Sequence, residues 1–233
     1  MLIEVTGLTK RYGEQLALSN VTFSVRPGEI LGLVGPNGAG KTTLLETIAG
    51  ILPADAGCIL WRGAWLPPRR RRDVMYYLPD GVRPWHDQYV LRVLAFHSSV
   101  YRKPQAETDE IVAMTGLGRV LHKRVIALSK GYLRRLMWAL ALLAPHPLLL
   151  LDEPFDGFDL KQTREMTSVL RALPARGRTL ILSIHQLSDA ERVCDRFVFL
   201  AGGQVHGHGT VEELRHRAGL VEGGLEEAFL ALT

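Results

Sequence analysis

Cysteine is nearly missing from this chain: Cys58 and Cys194 are its only two among 233 residues. They have neither metal-ligand spacing nor the density of a disulfide framework, so both are read as reduced thiols. Long apolar runs are missing as well. The greasiest region, Leu136 to Leu151, is broken by Pro145-His146-Pro147, which leaves it short of the ~18 uninterrupted apolar residues that mark a membrane-spanning helix. The start, Met1-Leu2-Ile3-Glu4-Val5, lacks the basic-then-apolar layout of a signal peptide and predicts a protein that stays in the cytoplasm. There is no internal repeat, low-complexity tract or linker long enough to separate independent domains. Charge of one sign is not in large excess either, the formal net charge being +4. Its densest contribution, Arg69-Arg70-Arg71-Arg72 after Pro67-Pro68, has no interleaved aromatics and no helical basic face. It reads as a charged, solvated turn rather than a contact for nucleic acid or an anionic membrane surface, and no nucleic-acid partner is expected.

What is present is a globular composition, 47% apolar, able to bury a full core in one large or two small lobes. One run stands out. Gly35-Pro36-Asn37-Gly38-Ala39-Gly40-Lys41-Thr42-Thr43 meets the phosphate-loop pattern G-x-x-x-x-G-K-[ST] at every fixed position. It follows the strand-like Ile30–Val34 and opens a helix-like stretch from Thr42 to Ala49. Glycines allow backbone conformations closed to other residues, so successive N–H groups can approach phosphate oxygens while the helix start adds a positive dipole end. In such loops Lys41 reaches the β- and γ-phosphates and the Thr42 hydroxyl becomes a Mg²⁺ ligand, with Thr43 as a helix-start hydroxyl in secondary phosphate contact.

The rest of the chain alternates. Strands are expected at Leu2–Thr6, Val21–Val25, Ile30–Val34, Cys58–Trp61 and Val74–Leu78, then helices at Tyr89–Val100, Ala106–Thr115 and Tyr132–Ala144. Strands at Leu148–Leu151, Thr179–Ser183 and Arg196–Leu200 then alternate with helices at Leu160–Ala172 and Leu187–Val193, and a short helix closes the chain around Leu225, Phe229 and Leu232. This order argues a parallel α/β core with a helical insertion. The spaced Leu133, Met137, Leu140 and Ala144 read as a core-facing stripe.

Leu148-Leu149-Leu150-Leu151-Asp152-Glu153-Pro154 is a buried central strand that delivers two carboxylates at its C-terminal edge, where open α/β sheets bind ligands. Downstream of a phosphate loop, Asp152 is expected to hold Mg²⁺, directly or through water. Glu153 is expected to orient or deprotonate the attacking water.

With these motifs in order, the chain resembles the nucleotide-binding subunit of ATP-binding cassette (ABC) ATPases over nearly its whole length. Tyr12, in Lys10-Arg11-Tyr12-Gly13, matches the aromatic residue that stacks on adenine. Leu128-Ser129-Lys130-Gly131-Tyr132 resembles the family signature Leu-Ser-Gly-Gly-Gln, followed by Arg135 at the family's arginine; Asp159 matches the aspartate after the second acid motif, and His185 the switch histidine. The resemblance implies a P-loop NTPase fold of ABC ATPase type, with a mainly parallel sheet core, an N-terminal antiparallel β part and an inserted helical subdomain. Residues 1–84 and 146–233 would form the nucleotide-binding core and about 85–145 the helical part. It implies ATP and Mg²⁺ as cofactors and Ser129 and Gly131 acting on the nucleotide of a second ATPase subunit in a head-to-tail pair. A separate integral membrane permease is implied as partner, with the chain peripheral on the cytoplasmic face. Two departures stand out. Lys130 and Tyr132 replace Gly and Gln in the signature, Lys130 adding a cation beside the phosphate site. Asp80, in Tyr77-Leu78-Pro79-Asp80, replaces the Gln of the nucleotide-sensing loop and is a further candidate Mg²⁺ ligand. These features, with Leu225-Glu226-Glu227-Ala228-Phe229, resemble the exporter branch; a soluble ABC ATPase and an ATP-dependent regulatory switch are the alternatives.

Overall fold

The computed structural model describes residues 1–233. Chain order is β1 (Ile3–Tyr12), β2 (Gln15–Val25), β3 (Ile30–Val34), α1 (Lys41–Ala49), β4 (Ala56–Trp61), β5 (Ala64–Trp65), α2 (Pro68–Arg71) and β6 (Met75–Leu78). It continues with α3 (Val90–Val100), α4 (Gln105–Thr115), α5 (Lys130–Leu143), β7 (Leu148–Asp152), α6 (Leu160–Ala172), β8 (Thr179–Ile184) and α7 (Leu187–Val193). It ends with β9 (Arg196–Ala201), β10 (Gln204–Gly209), α8 (Val211–Arg217) and α9 (Leu225–Leu232).

Two sheets result. An antiparallel one has the order β2-β1-β4-β5, and a mixed one the order β10-β9-β3-β8-β7-β6, parallel throughout except for the β9–β10 hairpin. In the mixed sheet β3, β7 and β8 are buried at every residue, because both faces are covered. Ile30 and Val34 face one core, with Leu149, Leu151, Leu180 and Leu182. Leu31 and Leu33 face another, with Leu148, Leu150 and Ile181. Period-two alternation thus survives in strands that look uniformly apolar. The second core is closed by α1 and the antiparallel sheet. The first is closed by α5, α6, α7 and α9 and runs on into α3 and α4, so the helical segment shares a continuous core with the sheet.

Several expectations need correction. β1 and β2 run far past Leu2–Thr6 and Val21–Val25, because their polar residues lie on the open face of a long antiparallel hairpin whose register shifts between Val5 and Leu8 and again before Arg11. β10, Gln-Val-His-Gly-His-Gly, was not expected, since glycine and histidine hide a strand that is held as an edge by β9. The Arg run is only partly a solvated turn, since Arg69, Arg70 and Arg72 are exposed and Arg71 is not. Pro68 to Arg71 form one helical turn that buries Arg71, with 4% of its surface exposed. Its Nη1 donates to Thr47 O at 2.5 Å and Ile48 O at 3.5 Å, and its Nε to Leu66 O at 3.3 Å. The cation therefore caps the carbonyl end of α1, where it also meets the negative end of the helix dipole.

Candidate functional site

The loop after β3 is built from glycines that nothing else could replace. A Cβ on Gly35 would lie 2.0 Å from Leu200 O, and one on Gly40, at φ +102°, would lie 2.8 Å from Ala17 O. Gly203, in the turn between β9 and β10, donates its N–H to Ala39 O at 3.1 Å and accepts from Ser19 N–H at 2.8 Å. The loop is thus closed by residues from both ends of the chain. α1 starts at Lys41 with no side-chain cap and no acid in its first turn, so its leading N–H groups face the loop with a net positive field. Lys41, 6% exposed, bends back over the loop and donates from Nζ to Gly35 O at 2.8 Å and Pro36 O at 3.2 Å.

The opposite wall comes from the ends of β7 and β8. Asp152 is 1% exposed; its Oδ1 accepts from Ser183 Oγ at 2.5 Å and its Oδ2 from the Tyr77 hydroxyl at 3.4 Å. Burial, then the Asp152 charge, push the Tyr77 phenol well up, so it stays a donor. Burial and then Asp152 likewise raise the Glu46 carboxyl. Ser183 Oγ also accepts from Glu153 N–H at 2.8 Å. That bond fixes Glu153 in a left-handed conformation, φ +45°, which costs a non-glycine residue ~1–3 kcal/mol and is seen where a site over-determines its backbone. The turn aims the Glu153 carboxylate between Lys41 and His185. Oε1 stands 3.8 Å from Lys41 Nζ, and Oε2 2.7 Å from His185 Nδ1, where the imidazole N–H can donate.

Lys41, Thr42, Thr43, Tyr12, Asp80 and Glu153 together line a cleft of about 500 Å³. Behind Glu153 a second hollow, about 180 Å³, is bordered by Ser183, His185 and Asp156. Tyr12 is 47% exposed at the end of β1, its ring 5.6 Å from Lys10 Nζ, a flat apolar face at the cleft mouth. Asp80 sits on the cleft wall, but Arg134 Nη2 donates to its Oδ1 at 2.5 Å, leaving Oδ2 as the oxygen without a cation. Asp152 is a buried carboxylate whose partners are hydroxyls and which makes no ion pair. A buried charge of this kind fits a cation, and its oxygen chemistry, with the Thr42 hydroxyl, fits a hard ion such as Mg²⁺.

Ser129 and Gly131 line neither hollow. Ser129 caps α5, accepting from Tyr132 N–H at 3.4 Å, and the helix starts at Lys130 rather than at Tyr132. A Cβ on Gly131 would lie 2.7 Å from Gln162 Oε1, the end of a flexible side chain. Lys130 pairs with Asp156 Oδ2 at 2.9 Å. Asp159 caps α6 in a capping box with Gln162, and Arg135 braces Thr115 O at 3.1 Å and Glu165 at 2.6 Å. Ser183 was missed by sequence reasoning. Its signal was available: a lone hydroxyl inside the apolar run Leu180–Ile184, one strand over from the two acids.

The profile of a family described as ABC transporter matches residues 18–156. An uncharacterised ABC transporter ATP-binding protein of Methanocaldococcus jannaschii is 31% identical over 94% of this chain and 82% of its own length. The Nod factor export ATP-binding protein I of Rhizobium etli is 35% identical over 91% of this chain and 69% of its own. The fluoroquinolones export ATP-binding protein of Mycobacterium tuberculosis is 34% identical over 92% and 72%. Among solved structures, an ATP binding subunit of an ABC transporter superposes with a TM-score of 0.89 at 32% identity, covering 100% of this chain and 99% of that one.

Proposed function

The chain belongs to the ABC transporter family of ATP-binding proteins, and from that premise we propose that it hydrolyses ATP to drive a separate membrane permease that exports its cargo. The observation that carries the hydrolytic part is the Glu153 carboxylate, held at a strained strand end between Lys41 Nζ and His185 Nδ1 on the wall of the phosphate-loop cleft. The loop amides and Lys41 bind the phosphates, exchanging the Gly35 and Pro36 carbonyls for phosphate oxygens, and the Tyr12 ring takes the adenine face. Thr42 and Asp152 would hold Mg²⁺, with Asp80 Oδ2 within the same cleft wall. When bound, that ion neutralises charge developing on the phosphates. Glu153 accepts the proton of the attacking water, and His185, bonded to the same carboxylate, keeps it aimed and contacts the γ-phosphate side.

Export is supported by the two relatives whose names say that they serve export. A permease partner is supported by two features. No helix here is long and apolar enough to cross a membrane. Beside the Asp80 loop, an open apolar groove of about 590 Å³ presents Trp85 and Phe96, 81% and 64% exposed, edged by Arg83 and Arg92. Such a rimmed apolar patch marks a docking surface. It would set the chain on the cytoplasmic face of the membrane. A second ATPase subunit, head to tail, is supported by the position of Ser129 and Gly131 at a helix start outside their own cleft; there a hydroxyl and free amides are offered to the phosphate of the opposite subunit.

Glu153→Gln tests the reading. Turnover should fall at least about a hundredfold, as expected on removing a general base, while ATP affinity is kept. Phosphate release near the wild-type rate would refute the role of Glu153.

A further inference from the structure

Two loops leave the mixed sheet beside Glu153, and both are held by one buried side chain. Arg134, 8% exposed, sits one turn into α5. Its Nη2 donates to Asp80 Oδ1 at 2.5 Å, in the loop after β6. Its Nε donates to Asp156 O at 3.1 Å, in the loop after β7, and Nη2 stands 3.6 Å from Asp156 Oδ2. Lys130, four residues earlier on the same helix face, grips the other side of Asp156, with Nζ 3.0 Å from Oδ1 and 2.9 Å from Oδ2. Asp80 borders the large cleft with Lys41, Thr42 and Glu153, while Asp156 borders the hollow behind Glu153 with His185. The guanidinium therefore spans both sides of the hydrolytic carboxylate and ties them to the helix that begins at Ser129.

The chemistry suits a rigid link. A planar guanidinium fixes the direction of each bond it donates, and a carboxylate partner makes the bond charge-assisted and stronger than an amide would. Asp80, with 46% of its side chain exposed, has little else to hold its orientation. A buried guanidinium that loses a partner keeps its desolvation cost, so the pair resists opening.

We infer that Arg134 is a positioning residue for hydrolysis: through Asp80 and Asp156 it sets the loops on both sides of Glu153 and transmits their position to the start of α5. Arg134 itself lines neither hollow. This rests on the hydrolytic role given to Glu153, because only then does the placement of these loops matter to turnover.

The test is a cycle of Asp80→Asn, Arg134→Gln and the double variant, with Arg134→Lys as the conservative rescue and a second route should Arg134→Gln not fold. Steady-state phosphate release gives kcat and KM, titration gives the Mg²⁺ requirement, and thermal unfolding is followed in parallel. Each single change should lower kcat about tenfold with KM nearly unchanged, since misplacement costs rate rather than binding. The double variant should be no worse than about threefold below the weaker single, as for residues acting as one unit. Arg134→Lys, which keeps the charge and loses the fork, should recover part of the rate. Losses that multiply to about a hundredfold in the double variant would overturn the linkage. So would a raised Mg²⁺ requirement in Asp80→Asn that Arg134→Gln and Arg134→Lys do not share, which would make Asp80 a metal ligand acting alone. If Glu153→Gln abolishes turnover while the Arg134 variants leave kcat intact, this inference alone fails. If Glu153→Gln itself turns over normally, the hydrolytic reading beneath it has failed.

Discussion

Ser183→Ala is the most informative single change, because one hydroxyl serves both acids. Ser183 Oγ donates to Asp152 Oδ1 at 2.5 Å and accepts from Glu153 N–H at 2.8 Å, in a residue with no exposed surface. Alanine removes a hydrogen bond to a charged group and leaves a backbone donor without a partner. Each costs ~1–3 kcal/mol, and since they share one oxygen the total should be about 3 kcal/mol. For a domain of this size that lowers Tm by roughly 6–12 °C. The functional effect should exceed the thermal one. Without the Ser183 bond, Glu153 can relax from φ +45° and swing its carboxylate off His185. A displaced general base costs about a hundredfold in kcat, whereas the phosphate loop is untouched and ATP affinity should stay within about threefold, because an interaction made only in the transition state lowers kcat without changing ground-state binding. The assays are phosphate release, equilibrium binding of a fluorescent ATP analogue, and unfolding by heat, with Ser183→Thr as the hydroxyl-retaining control. If Tm falls as expected while kcat is unchanged, Glu153 does not depend on Ser183 for its aim and the strained-turn argument is refuted.

Arg71→Met should destabilise the protein by about 2 kcal/mol, since it strips a cation from the carbonyl end of α1, whereas Arg69→Ala, on the exposed side of the same turn, should stay within ~0.5 kcal/mol; urea unfolding of both variants checks this, and equal effects would rule out the cap. His146, packed against Tyr76 and Tyr101, has its pKa lowered from 6.5 mainly by burial. Because the folded state then binds fewer protons than the unfolded one, the stability gained from a neutral His146 is complete above pH 6.5 and is lost as pH falls through the lowered folded value. Tm measured across that window should therefore slope in the wild type and flatten in His146→Asn.

Legibility in the sequence followed the distance over which each feature is built. The phosphate loop, the two acids at the end of β7 and the histidine after β8 each occupy a few contiguous residues at a strand end, where the required residue types are dictated locally; the loop and Glu153 line one cleft and His185 the hollow behind Glu153. What could not be read is made of contacts between remote segments. Arg71 reads as one member of a solvated run until α2 folds it onto α1. Asp80 reads as a possible metal ligand, with no sign in the sequence that α5 brings Arg134 to its other oxygen. Ser183 reads as one polar residue in an apolar strand until parallel pairing puts it opposite Asp152. Strand β10 escaped because its edge position, not its propensity, makes it a strand.

The Gly202–Gly203 turn carries a consequence for how the protein comes to exist. The phosphate loop leans on Leu200 O, and Gly203 bonds Ala39 on one side and Ser19 on the other, so the loop receives its supports from a stretch far later in the chain. On the ribosome, where N-terminal segments emerge first, the loop waits for β9 and the turn after it before it has its shape. ATP can stabilise only a form that already holds the binding loop, so it acts as a late seal on a finished molecule and gives no help to a nascent one. A chain cut short before β9 would keep every residue of the loop motif and still lack these supports.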